Sequence, residues 1–261
     1  MGIVCESVGY SYPLPNRKLL TTLDGVSFAV RSGEFMALLG PSGCGKSTLL
    51  KLIANLIQPT SGSIRVTDSA QNKHGPAVAM VFQQHGVLPW LSVLDNVIFG
   101  LERFSLSKNE KRERARDAIN RVHLSGFEAA FPHQLSGGMQ QRVNIARALV
   151  CGAPTLLMDE PFAALDAQTR LIMQEELLTL WESERKTVIY VTHDIDEALL
   201  LADRVLVMSQ RPGTIRAEVA APLSRPRSLH DIEHPTFREM RWQIWNLLDL
   251  KSPSAAVRPP G

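Results

Sequence analysis

Phe35-Met36-Ala37-Leu38-Leu39-Gly40-Pro41-Ser42-Gly43-Cys44-Gly45-Lys46-Ser47-Thr48 joins an apolar run to a G-x-x-x-x-G-K-[ST] loop and then to the start of a helical pattern. A buried strand that runs into such a loop and opens a helix is the setting in which this pattern carries meaning. The glycines let the loop close around phosphates with successive backbone N–H groups turned inward, and the helix adds the positive end of its dipole. Gly40, Pro41, Ser42, Gly43, Cys44, Gly45, Lys46, Ser47 and Thr48 are therefore expected to hold a nucleoside triphosphate. The Lys46 ammonium would reach the β- and γ-phosphates, and the Ser47 hydroxyl would ligate Mg2+. Cys44 lies inside the loop, where its amide neighbours and Lys46 are expected to favour the thiolate.

Upstream of the loop, residues 3–8 and 26–30 read as strands separated by turn residues at 13–16. Downstream, the helix begun at Lys46 is expected to run to Ile57, where Pro59-Thr60-Ser61-Gly62 stops it, and residues 77–82 read as a buried strand. From Ser92 to Val150 the signals are helical, with Ser92/Asp95 and Ser107/Glu110 resembling capping boxes. Strands return at residues 155–158, 187–191, 204–208 and 214–219, with helices at 167–184 and 194–201 between them. Such alternation predicts an α/β fold with right-handed crossovers, a mostly parallel sheet and a ligand at the carboxyl ends of its strands. Beyond Pro222 the chain is punctuated by prolines, then offers an amphipathic helix at 237–248 with Trp242 and Trp245 on it, and a disordered tail from Ser252.

With 261 residues, 44% of them hydrophobic, the chain can bury a sizeable core. A formal charge of +2 is too small to argue for nucleic acid, and the charges of residues 108–116 are interleaved in sign, as on a solvated helix face. Cys5, Cys44 and Cys151 have neither metal-ligand spacing nor even parity, which points to a reducing compartment. No apolar stretch is long enough to cross a bilayer, so membrane association is expected only through a partner.

Two further runs carry chemistry. Leu156-Leu157-Met158-Asp159-Glu160 is a hydrophobic strand ending in adjacent carboxylates, of which Asp159 is expected in the Mg2+ shell and Glu160 as the general base toward an attacking water. Leu135-Ser136-Gly137-Gly138-Met139-Gln140-Gln141-Arg142 is a second glycine-containing helix start, with a hydroxyl and backbone N–H groups suited to a γ-phosphate. One phosphate site has no need of two such termini.

That run resembles the signature sequence of ATP-binding cassette (ABC) proteins, in which the signature of one subunit covers ATP held on the phosphate loop of another. The resemblance extends over nearly the whole chain and implies further roles. Tyr12 matches the aromatic that stacks on adenine, with Tyr10 the competing choice. Gln83 matches the glutamine that senses Mg2+ and the attacking water. Asp166, in Ala163-Ala164-Leu165-Asp166, matches the loop that crosses the dimer interface, and His193 matches the switch histidine at the γ-phosphate. Glu160, His193, Gln83 and Lys46 are thus the expected catalytic groups, and Ser47, Gln83 and Asp159 the expected Mg2+ ligands. Asn55 stands where relatives usually have glycine, and Ala163 where many have serine.

The implied fold is an ABC-type P-loop NTPase with a RecA-like core (residues 1–85 and 152–220), N-terminal antiparallel β strands, a helical signature subdomain (86–151) and a C-terminal extension (221–261). Phe82-Gln83-Gln84-His85-Gly86-Val87-Leu88-Pro89-Trp90-Leu91-Ser92 looks like the region that receives a permease coupling helix. Leu-Pro-Trp-Leu-Ser, Ser209-Gln210-Arg211-Pro212-Gly213-Thr214-Ile215 and the closing Trp-containing helix resemble the nitrate/sulfonate/taurine importer branch. The implied protein is an ATPase subunit on the cytoplasmic face of the inner membrane, using ATP and Mg2+. Its implied partners are a second copy of itself, permease subunits and, indirectly, a periplasmic solute-binding protein. The alternative is a soluble ABC ATPase of DNA repair or translation, for which the chain lacks a long coiled-coil insertion, zinc cysteines or a second cassette.

Overall fold

The computed structural model describes residues 2–15, 18–67, 76–83 and 86–248. The tail expected from Ser252, like Asn16, Gln84 and His85, lies outside the described residues. In chain order, β1 (Ile3–Pro13), β2 (Leu19–Val30) and β3 (Phe35–Leu39) lead into α1 (Lys46–Ile53), followed by β4 (Ser61–Val66) and β5 (Val78–Val81). Helices α2 (Val93–Phe99), α3 (Lys108–Arg121) and α4 (Gly137–Val150) come next. The chain then alternates through β6 (Thr155–Asp159), α5 (Ala167–Glu184), β7 (Thr187–Thr192), α6 (Ile195–Leu201), β8 (Arg204–Met208) and β9 (Ile215–Ala220) to α7 (Pro235–Leu248).

An unbroken apolar run suits a strand covered on both faces, and every residue of β3 is fully buried. It pairs in parallel with β7 on one side and β8 on the other, inside a six-stranded sheet ordered β5-β6-β7-β3-β8-β9. Within this sheet, among the described residues, only the β8–β9 pair is antiparallel, as the alternating pattern predicts. Phe35, Ala37 and Leu39 face a core shared with α4, α5 and α6, while Met36 and Leu38 face a second core built with α1, β1 and β2. A separate antiparallel sheet, β2-β1-β4, covers that second core.

Two expectations are corrected. Residues 59–62 were expected to form only a stop, yet Ser61–Val66 is a strand paired with β1 from Gly9↔Ser61 to Ile3↔Val66. As an outer strand it buries little, only Ile64 and Val66 packing on the core, so its Ser-Gly-Ser start reads as a turn. Gly62 has φ +77, and a Cβ there would lie 2.3 Å from the Ser7 carbonyl oxygen, so glycine marks a close approach here rather than a chain reversal. Helix α1 ends at Ile53 rather than Ile57 because Asn55 takes a left-handed conformation, φ 56. The Asn55 amide donates to Leu52 O (3.0 Å) and the Leu56 amide to Lys51 O (2.9 Å), the paired bonds of a Schellman ending. Asparagine tolerates that conformation better than other residues bearing a Cβ, which accounts for its standing in glycine's place.

The chain beyond β9 grips α6 at both ends. Arg227, buried, donates through Nη1 to the carbonyls of Leu199, Leu200 and Ala202, and Arg225 Nη2 donates to Leu201 O. These are carbonyls that a helix end leaves unpaired, and cations suit that end of the dipole. Burial pulls the Arg227 guanidinium down to about 10, still protonated at neutral pH. At the other end of α6, Arg241 on α7 makes a two-pronged ion pair with Asp196.

Candidate functional site

Parallel register levels the strand ends. Val81 lies opposite Met158, Asp159 opposite Val191 and Leu39 opposite Thr192, so β5, β6, β7 and β3 finish together at their carboxyl ends. Gln83, Glu160, His193 and the loop from Gly40 leave the sheet at this edge. Tyr12, Ser42, Gly43, Gly45, Lys46, Ser47, Thr48, Gln83 and Glu160 line one cavity of about 330 Å3. Leu20, Thr22 and Arg211, which carry no site role in the sequence reading, line it too.

The loop needs its glycines. Gly43 (φ +76) and Gly45 (φ +109) have left-handed backbones, and a Cβ on Gly45 would lie 2.6 Å from Leu23 Cδ2. The buried Lys46 ammonium donates to Gly40 O (2.6 Å) and Pro41 O (3.2 Å) and stands 4.0 Å from Glu160 Oε1. Gly40 and Pro41 thus face the cavity only through the lysine they hold. Ser47 Oγ donates to Asp159 Oδ1 at 2.9 Å. Burial pushes the Asp159 carboxyl up, the Ser47 hydrogen bond opposes the rise, and the Glu160 charge adds to it. A cation beside Asp159 would relieve that burial cost, and a hydroxyl with a carboxylate is the hard oxygen donor set that suits Mg2+. Among the described residues no cluster of three or more His, Cys, Asp or Glu is arranged for a metal, so the remaining ligands of an ion here would come from phosphate and water.

Glu160 is the hub. Its Oε2 lies 3.1 Å from His193 Nδ1 and accepts from Gln83 Nε2 at 3.4 Å. Its backbone is left-handed, φ 43, a conformation that costs roughly 1–2 kcal/mol for a residue with a Cβ. The Glu160 amide donating to Val191 O (3.0 Å) and the Ala163 amide donating to Glu160 O (3.2 Å) hold it there. Below His193 lies the buried Glu197 carboxylate, which accepts from Thr192 Oγ1, Tyr190 OH (2.8 Å) and Gln174 Nε2 (3.0 Å). Thr192 Oγ1 in turn accepts from the Asp194 amide (3.0 Å), so the backbone is fixed on both sides of the exposed histidine. A larger cavity of about 570 Å3 lies between the start of α6 and α7, lined by His193, Asp196, Arg241 and Trp245 but by no phosphate-loop residue.

Of the two tyrosines, Tyr12 reaches the cavity, its hydroxyl 3.4 Å from Thr48 Oγ1. Tyr10 packs edge-on against Tyr12 (4.8 Å, 83°) and on the core beneath. Ser136, Gly137, Gly138 and Asp166 do not line the cavity. Ser136 caps α4 by accepting from the Met139 amide, and Asp166 caps α5 by accepting from the Thr169 amide at 3.0 Å. A Cβ on Gly138 would lie 2.8 Å from Thr169 Cγ2, so these two helix starts adjoin. Ser136, Gly137 and Asp166 are exposed there.

The ABC transporter family model matches residues 23–163. The chain is 52% identical over 223 residues to the taurine import ATP-binding protein TauB of Chromobacterium violaceum, covering 85% of this chain and 84% of that protein. It is 42% identical over 247 residues to the nitrate import ATP-binding protein NrtD of Synechococcus elongatus, covering 93% and 90%. Its fold matches, with a TM-score of 0.71 and 33% identity, a dimeric post-hydrolysis state of the ATP-binding cassette MJ0796 bound to ADP and Pi, over 85% of this chain and 100% of the other.

Cys44 departs from expectation. It is buried at 1% exposure, and loss of solvation pushes its thiol up despite the opposing Lys46 charge and backbone hydrogen bonds, so the expected thiolate is not favoured. In the folded chain at neutral pH, a maleimide should label Cys44 far more slowly than after unfolding in urea, and labelling should accelerate only at higher pH than for a free cysteine. Mass spectrometry of the labelled chain checks this; fast native labelling at neutral pH would contradict the burial.

Proposed function

Because the chain belongs to the ABC transporter family, we propose that this ATPase is the ATP-binding and ATP-hydrolysing subunit of an importer for a small anion or related solute, such as nitrate, an alkanesulfonate or taurine. The observation that carries the reading is the meeting of Lys46, Gln83 and Glu160 in one cavity with His193 bonded to Glu160. Similarity to import ATP-binding proteins over most of the chain favours transport over DNA repair or translation.

In this reading Lys46 neutralises the β- and γ-phosphates, and Tyr12 offers its ring to adenine. Glu160 takes a proton from water as the water oxygen bonds to the γ-phosphorus and the bond to the bridging oxygen of ADP breaks. Gln83 and His193, both on Glu160 Oε2, set the orientation of that carboxylate. Mg2+, held by Ser47 and Asp159 with Gln83 nearby, would neutralise phosphate charge. The exposed starts of α4 and α5 lie away from this cavity, which fits a head-to-tail dimer in which Ser136, Gly137, Gly138 and Asp166 of one copy complete the site of the other. Residues 1–220 form the ATPase unit in this reading, with 86–151 its helical part. No helix among the described residues is long and apolar enough to cross a membrane, so attachment at the cytoplasmic face would come through permease subunits.

The docking region is held in shape from below. Buried Asn96 donates through Nδ2 to the carbonyls of Leu88, Leu91 and Ser92 and accepts from the Leu88 amide, leaving Trp90 70% exposed. Trp90→Ala should therefore leave thermal stability and ATP affinity unchanged while abolishing co-purification with the permease. A loss of stability that accounts for lost binding would contradict docking.

Glu160→Gln keeps shape and removes proton acceptance. It should retain ATP binding while lowering hydrolysis by roughly 10²- to 10⁴-fold. Nucleotide titration and single-turnover hydrolysis on the same variant check this, and turnover like the wild type would sink the assignment of the base.

A further inference from the structure

The turn between β8 and β9, Ser209-Gln210-Arg211-Pro212-Gly213-Thr214, has no part in the mechanism above, yet it lies against the outer side of the phosphate loop. Arg211 donates through both Nε (3.1 Å) and Nη2 (2.9 Å) to the carbonyl of Gly43. Two residues on, a Cβ added to Gly213 would fall 2.1 Å from the carbonyl oxygen of Cys44, so the two backbones touch. The Gly213 amide donates to Thr22 O (2.8 Å) and its carbonyl accepts from the Asp24 amide (3.1 Å), tying the turn to β2. The turn keeps its own form through Ser209, whose amide donates to Thr214 O (3.0 Å) and whose Oγ accepts from the Thr214 amide (2.9 Å).

A loop with left-handed glycines on both sides of Cys44 has few side chains with which to hold a shape. Lys46 holds the Gly40 and Pro41 carbonyls from within, but the Gly43 carbonyl needs a partner from outside the loop. Arg211 meets that need and is also part of the cavity wall, where a guanidinium has five donors and spends two on Gly43. We infer that Arg211 is a positioning residue for ATP: it pins the Gly43 carbonyl so that the peptides of residues 43–45 are posed for the phosphates before the nucleotide arrives. Gly213 is glycine because the turn must approach Cys44 closely enough for Arg211 to reach. This inference rests on the phosphate loop being the ATP site, which titration of the wild-type chain checks separately.

The test uses the full chain with Arg211→Ala and Arg211→Lys, and reads ATP affinity, KM and kcat alongside labelling of two buried cysteines by mass spectrometry. Cys44 reports the loop, and Cys5 on β1, also buried, reports global unfolding. Arg211→Ala should weaken ATP binding about 10-fold with a matching rise in KM, change kcat much less, and speed Cys44 labelling without speeding Cys5. Arg211→Lys, which keeps the charge but not the two-pronged bond, should fall between alanine and wild type. ATP affinity within about twofold of wild type in the alanine variant would overturn the inference. So would weakened affinity with Cys44 labelling unchanged, which would make Arg211 a charge on the nucleotide alone, or joint acceleration of Cys44 and Cys5, which would make it a stability residue.

Discussion

The level finish of four parallel strands is the constraint on which the site depends. Because Leu39 lies opposite Thr192 and Asp159 opposite Val191, the turns that follow β3, β6 and β7 emerge side by side. A slip of one residue in β6 would exchange the faces of Asp159 and Glu160. It would separate Ser47 from Asp159, now 2.9 Å apart, and withdraw Glu160 from His193. Register is held by burial on both faces, since β3, β6 and β7 are buried throughout and expose no face that could tolerate the shift.

Against this rigid frame, the costly features collect at the edge. Glu160 has a left-handed backbone, Asp159 is a carboxylate largely removed from water, and Lys46 is a buried ammonium held by two loop carbonyls and 4.0 Å from Glu160. Each is a local expense that the sheet and its two cores offset. The arrangement puts donors on the loop and acceptor oxygens at Asp159 and Glu160, which is the polarity a phosphate with its counter-cation requires. Glu197 does a related job out of sight. With three side-chain donors on one carboxylate it links α5, β7 and α6, and so fixes the short segment that presents His193.

How far the sequence speaks depends on whether a residue's reason is local. The phosphate loop and β3 were legible because a buried strand, glycines and Lys-Ser have their meaning within one short run. Ser92 and Ser107 were legible as helix starts for the same reason. β4 was not, because an outer strand with three small polar or glycine residues at its start takes its identity from pairing with β1. The early end of α1 hangs on the conformation of Asn55, which composition alone does not reveal. Arg211 acts on Gly43 across 168 positions of sequence, and no local pattern announces that contact. For Cys44 the sequence displayed the neighbouring charge but hid the burial, and burial outweighs the charge.

If strand register makes one ATP site of Lys46, Gln83, Glu160 and His193, nucleotide must reach all of their strand ends at once. Hydrogen–deuterium exchange of the full chain during a MgATP titration tests it most directly, because amide protection reports separately on each strand end. Peptides containing residues 40–48, 83, 159–163 and 192–194 should gain protection together, with a single midpoint in ATP concentration. Protection confined to the phosphate loop, with the ends of β6 and β7 unchanged at saturating MgATP, would contradict it.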